Sequence, residues 1–208
     1  MLPPTIPIFP LPNVVLFPNV FLPLHIFEPR YREMVRDALE GDRLIGMSLL
    51  EPGFEADYEG RPAVYGVGCA GVITHSERLS DGRYNIVLRG LERFRIQGED
   101  SSRSYRLAHV TGLDESLSAD ERTRLSEQRQ RLEAVLAATI ERGGAEPRFP
   151  PAIADEDLIN ALSQYMDLQP IERQALLECS GPLARCQALI ELLEMKILTP
   201  RGHQGGVH

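Results

Sequence analysis

Lys196 is the only lysine in the 208-residue chain, and it sits between Met195 and Ile197. A nucleotide-binding P-loop needs lysine in a Gly-Lys-Ser/Thr setting, where loop amides cradle the phosphates and the ammonium reaches the β and γ oxygens. A Ser-Lys peptidase needs a lysine in an apolar pocket, so that the amine can serve as base. Near the end of a predicted terminal helix, Lys196 fits a solvated ammonium favoured by the helix dipole better than either role. Gly66-Val67-Gly68-Cys69-Ala70-Gly71 matches the G-x-G-x-x-G dinucleotide fingerprint. That motif requires a helix after it, and Val72-Ile73-Thr74 instead continues as strand toward a predicted hairpin, so strand glycines are expected and no cofactor. His25, His75 and His109 lack ligand-spaced partners, and Cys69, Cys179 and Cys186 form no C-x-x-C pair, which predicts buried free thiols and no metal. With no G-x-S-x-G elbow either, no catalytic residue is expected.

The formal charge of -8 and pI near 5.2 argue against a general phosphate-backbone binder, so nucleic acid is not an expected partner. No apolar run approaches the roughly 20 residues of a membrane helix. The apolar opening is broken by Pro3, Pro4, Pro7, Pro10 and Pro12 and lacks a basic start and small-residue cleavage site. A cytoplasmic protein that avoids membranes is expected.

The elements that must position any site divide into two styles. Val14–Phe17 and Val20–Leu22 read as extended segments joined by a turn at Pro18-Asn19, with the prolines confining such strands to edges or rims. Pro29 opens a helix whose Tyr31, Met34, Val35, Ala38 and Leu39 recur at helical spacing until Gly41. Strands are predicted at 44–50 and 63–74, the latter bulged by its glycines, and then at 84–88, 94–96 and 105–110. An exposed loop spans 51–62, Asp81-Gly82 makes a hairpin, and Gly90 marks a bend. After Gly112 the spacing becomes helical. Ser118 and Glu121 form a capping box for a helix to about Arg142, carrying Leu132, Val135, Leu136, Thr139 and Ile140. A break at 143–151 follows, and Asp155 caps a second helix with Leu158, Ile159, Leu162, Tyr165 and Met166. Pro170 opens a third helix with Leu176 and Leu177, and Gly181-Pro182 a fourth with Leu183, Cys186, Ile190, Leu193 and Ile197. The pattern predicts an α+β chain: a small β-barrel with one inserted helix at 1–113, a C-terminal α-helical bundle at 118–199 and a disordered tail at 200–208.

The stretches Pro7 to Pro18 and Leu22 to Tyr31, together with Asp81-Gly82-Arg83 and Gly90-Leu91-Glu92-Arg93-Phe94-Arg95-Ile96, resemble the N-terminal domain family of Lon proteases. Glu172 to Glu178 and Leu192 to Ile197 are similar in style to the helices after that domain's barrel. The resemblance implies a PUA-like pseudo-barrel and a stand-alone, non-catalytic module that recognises unfolded or tagged polypeptides in protein quality control, with a separate protease or ATPase as partner. Its motif residues are Pro18, Pro23, Phe27, Glu28, Pro29, Arg30, Tyr31, Gly90, Arg93 and Phe94. A scaffolding role suits them: arginine forks on carboxylates would tie the helix start to the barrel, with Phe27 and Tyr31 in the core or a staple. Contacts to a client are expected from exposed apolar residues in the proline-rich opening or the 51–62 loop. The alternative is a PUA-like small-molecule or RNA binder, built on a stripe of Arg83, Arg89, Arg93, Arg95, Arg103 and Arg106.

Overall fold

The computed structural model describes residues 2–57, 60–140 and 153–198. Six strands and five α-helices follow in the order β1 (Thr5–Leu11), β2 (Phe21–Ile26), α1 (Pro29–Glu40), β3 (Leu44–Leu49), β4 (Val67–Arg78), β5 (Tyr84–Asp100), β6 (Arg106–Leu113), α2 (Ala119–Ile140), α3 (Asp155–Tyr165), α4 (Pro170–Glu178) and α5 (Pro182–Leu198). The predicted break at 143–151 and the tail at 200–208 lie outside the described residues. Among those described, no helix is long and apolar enough to cross a membrane.

The sheet closes through β5. Its order is β2-β5-β4-β3-β1-β6, and β6 also pairs with β5, so β5, β4, β3, β1 and β6 make a ring with β2 outside it. A 17-residue strand allows this, because the first part of β5 pairs with β2 and its second part with β6. The strand runs through Gly90, where a bend was expected, with a register shift just after it: Gly90 lies opposite Gly71 and Glu92 opposite Ala70, leaving Leu91 as the extra residue on β5. Gly90 is also a point of close approach: a Cβ there would lie 2.0 Å from the Phe17 carbonyl oxygen. Gly90→Ala should cost about 1–3 kcal/mol by overpacking against that backbone, read as an earlier urea midpoint at unchanged slope. The Asp81-Gly82 hairpin forms, with Gly82 at φ +82, and β4 carries register shifts at Ala70/Gly71 and Ile73/His75.

β1, a proline-containing strand outside the predicted ones, is not an edge. Ile8–Leu11 runs parallel to β3, while Thr5–Ile8 runs antiparallel to β6. Each neighbour thus covers a different half, so an imino nitrogen need not face a paired strand at either Pro7 or Pro10. The run Val14–Phe17 is no strand, although Val15, Leu16 and Phe17 are buried. Its end is held by α3: the Phe17 amide donates to Gln164 Oε1 and the Asn160 amide to the carbonyl of the following Pro18, both at 3.1 Å.

One apolar cluster joins the two halves of the chain, running from Phe9, Met34 and Leu88 to Leu132, Ile159, Leu177 and Ile190. The capping box at Ser118 and Glu121 forms as the spacing predicts. Leu125, Leu132 and Leu136 are the buried face of α2, whereas the side chains of Thr139 and Ile140 lie outside the described residues. Asp155 does not cap α3: Ala154 holds that position, and the Asp155 carboxylate takes Arg129 at 2.7 Å. Tyr165 leaves the expected stripe of α3 and is 66% exposed.

Candidate functional site

Two arginines lock the helices onto the ring. Arg93, on β5 and 2% exposed, donates from one nitrogen to the carbonyls of Leu177 and Cys179. Arg185, on α5 and fully buried, donates to the Leu176 carbonyl and lies over the Phe17 ring. These carbonyls end α4, where a helix leaves acceptors unpaired and carries partial negative charge, so both guanidiniums act as its C-terminal cap. Glu115, just after β6, pairs with both cations. The Arg93 Nε lies 3.0 Å from Glu115 Oε1 but off the angle of a hydrogen bond. Burial pulls the Arg93 guanidinium below its ordinary range, and the adjacent Arg185 does the same against the attraction of Glu115. This arrangement is a scaffold, because its polar groups face one another.

The exposed apolar surface lies elsewhere, at β2. β2 pairs with β5 on one side and, among the described residues, with no strand on the other. Its alternation turns Leu22, Leu24 and Ile26 toward the core and leaves Phe21, Pro23 and His25 exposed. Phe21 is 51% and Phe27 60% exposed, and the Phe27 ring stacks near His25 at 6.3 Å. Tyr165 joins them by donating its hydroxyl to the Phe21 carbonyl at 2.8 Å. Across the strands, the His25 ring meets Asn85 at 2.8 Å and Arg83 at 3.3 Å, while Asn85 donates to Glu77. The result is an apolar strip along a strand edge with a polar ladder beside it.

Other candidates do not converge on a ligand. A cleft of about 230 Å³ is lined by Arg30, Tyr31, Arg61, Tyr105 and Arg106, but Glu28 takes Arg30 and Glu99 takes Arg106. The six arginines of the proposed stripe scatter: Arg93 and Arg106 are buried in ion pairs, and Arg83 pairs with Asp81. No helix follows Gly71, and a Cβ at Gly68 would lie 2.4 Å from the Met47 carbonyl oxygen and one at Gly71 2.9 Å from Leu16, so these two glycines serve strand packing, whereas Gly66 has open space around it. Among the described residues no group of three His, Cys, Asp or Glu could hold a metal. Lys196 pairs with Glu172 and donates to the Asp167 carbonyl, both at 2.9 Å, tying α5 to the start of α4. Burial pushes the Cys69 thiol up to about 12 and the Cys186 thiol up to about 11. Ellman's reagent at pH 8 should therefore leave both unreacted in the native protein and label them only after unfolding.

The remaining motif residues divide between surface and interior. Pro18 is in the turn after Phe17, Glu28 and Pro29 start α1, and Phe94 is fully buried. Tyr31 is buried 4.4 Å from the Phe9 ring. Phe27 is not a core or staple residue, because the chain leaves β2 with that side chain turned outward. Nor does the Arg30 pair with Glu28 span two elements; it is local, over two residues. Tyr165 was not foreseen at the surface, since its spacing on α3 continues the apolar stripe.

These features place the chain in a known class. Residues 5–195 match the model of the ATP-dependent protease La (LON) substrate-binding domain, and the chain belongs to that family. It is 27% identical over 203 residues to Lon protease 2 of Myxococcus xanthus, covering 94% of this chain and 24% of that protein. Against the Lon protease of Escherichia coli the identity is 24% over 200 residues, covering 92% and 25%. The chain thus spans about a quarter of the length of these relatives. Two solved structures share the fold: the Lon N-terminal domain protein from Xanthomonas campestris (TM-score 0.59, 22% identity, 90% and 97% covered) and the N-terminal domain of the Mycobacterium avium complex Lon protease (TM-score 0.65, 16% identity, 91% and 98% covered).

Proposed function

We propose that this chain is a non-catalytic module that holds unfolded or tagged polypeptides in the cytoplasm, for protein quality control, and passes them to a separate protease or ATPase. The carrying observation is the solvent-facing strip of Phe21 and Phe27 on an edge strand of a Lon substrate-binding fold. Exposed aromatic surface of this kind provides affinity for segments that have lost their own core. The non-catalytic reading rests on Lys196, which is engaged with Glu172 and Asp167 and has no Gly-Lys-Ser/Thr setting. In this reading a PUA-like barrel (1–113) and a helical bundle (118–199) act as one body through the Arg93, Glu115 and Arg185 lock. The pairing of Arg83, Arg93, Arg103 and Arg106 with carboxylates favours polypeptide over the RNA alternative. Fluorescence anisotropy with a reduced, carboxymethylated polypeptide that cannot refold, its native form and a single-stranded RNA tests this. Binding of the unfolded form alone is expected. Salt-sensitive binding of RNA alone would reverse the assignment.

A further inference from the structure

The backbone of β2 shows how such a client would be held. The Gly90 amide donates to the Val20 carbonyl at 2.9 Å, which sets that carbonyl toward β5. Alternation then turns the polar backbone groups of Leu22, Leu24 and Ile26 toward β5 and those of Phe21, Pro23 and His25 away from it. The Tyr165 hydroxyl reaches the Phe21 carbonyl from outside, which independently fixes the same parity. The open edge thus offers the Pro23 carbonyl and both the amide and carbonyl of His25, while Tyr165 occupies its beginning. An extended main chain has the matching pattern of donors and acceptors.

We propose that a proline-free, extended polypeptide segment adds to β2 as a further strand, hydrogen-bonded at Pro23 and His25. This rests on the polypeptide-binding reading above and names how the client is recognised. Apolar side chains at alternate positions of the segment cover Phe21 and Phe27. Arg89 lies opposite Phe21 in register and makes no ion pair among the described residues, so an acidic residue fits at that end. A second copy of this chain is a poor guest, because Pro23 on both strands removes donors that each partner needs. Another edge unpaired among the described residues, Thr74–Arg78 of β4, is guarded by the charged Glu77 and Arg78, whereas on β2 only Pro23 is a guard.

His25→Pro makes a direct test. Its amide faces away from β5, so proline there keeps the β2–β5 ladder and removes the donor offered to the guest. A fluorescein-labelled decapeptide of alternating apolar residues with one terminal Asp should bind His25→Pro about fivefold or more weakly than wild type, and His25→Ala within about twofold. Should His25→Pro fail to fold, two N-methylated peptides serve the same end with the wild-type protein. Methylation at one parity of alternate residues should weaken binding about tenfold or more, and at the other parity leave it within about twofold. Equal effects of the two parities, or no binding of the decapeptide while the carboxymethylated polypeptide binds, would overturn strand addition and leave polypeptide binding standing. If neither probe binds, both readings fall.

Discussion

Replacing Glu115 with alanine should destabilise the fold by roughly 3–5 kcal/mol, the cost of removing one partner from a buried ion pair. Glu115 is the carboxylate shared by Arg93 and Arg185, whose side chains are 3% and 0% exposed. Without it two like charges remain in the interior, compensated by the carbonyls at the end of α4 and, for Arg185, by the Asn160 side-chain oxygen and the Phe17 ring. Those carbonyls carry partial charge, so they offset part of the cost. Glu115→Gln keeps an acceptor of the same shape but no charge, and should fall between alanine and wild type. The more exposed pair of Arg131 and Glu194 sets the contrast, since Glu194→Ala should cost less than about 1 kcal/mol. Urea titration followed by circular dichroism measures all three. A loss below about 1 kcal/mol for Glu115→Ala would show that the lock contributes little to joining helices and ring.

The second large effect is on binding. Phe21 and Phe27 are exposed aromatic side chains at the two ends of β2, and neither belongs to the core cluster. A change of 1.4 kcal/mol corresponds to a factor of ten, and covering one phenyl ring yields about that much or more. Phe21→Ser with Phe27→Ser should therefore weaken binding of an unfolded polypeptide at least tenfold. The urea midpoint should barely move, because exposed positions contribute little to folding. Anisotropy titration of the double variant, with urea unfolding of the same preparation, separates the two quantities. Unchanged affinity would remove this strip from the site.

Much of the fold was legible because period and punctuation agree with it. Pro29, the spacing of Tyr31, Met34, Val35 and Ala38, the Asp81-Gly82 turn and the Ser118/Glu121 box each specify local structure that tertiary contacts leave intact. What failed was local reasoning about segments satisfied from afar. Val14–Phe17 resembles a strand because it is apolar, yet the backbone of Phe17 and the following Pro18 is held by Gln164 and Asn160 on α3. A signal was present: Asn160 and Gln164 are two amides one turn apart on the same helix face. Arg185 was hidden in the same way, as a charge among Cys186 and Leu189 whose partners lie on other elements. The proposed client surface was legible only as a neighbourhood, the proline-rich opening. Phe27 read as interior from residue type and Tyr165 from its spacing on α3, yet both are exposed beside β2, which lies outside the ring.

Amide hydrogen exchange of the full chain with and without a saturating carboxymethylated polypeptide tests the central claim most directly. Exchange should slow in the β2 segment around His25, with no comparable change in the loop and helix start lining the cavity at Asp114–Leu117 and Ser180–Gln187. Protection confined to that cavity, or none anywhere on β2, would contradict the assignment of this edge as the surface that grips the client.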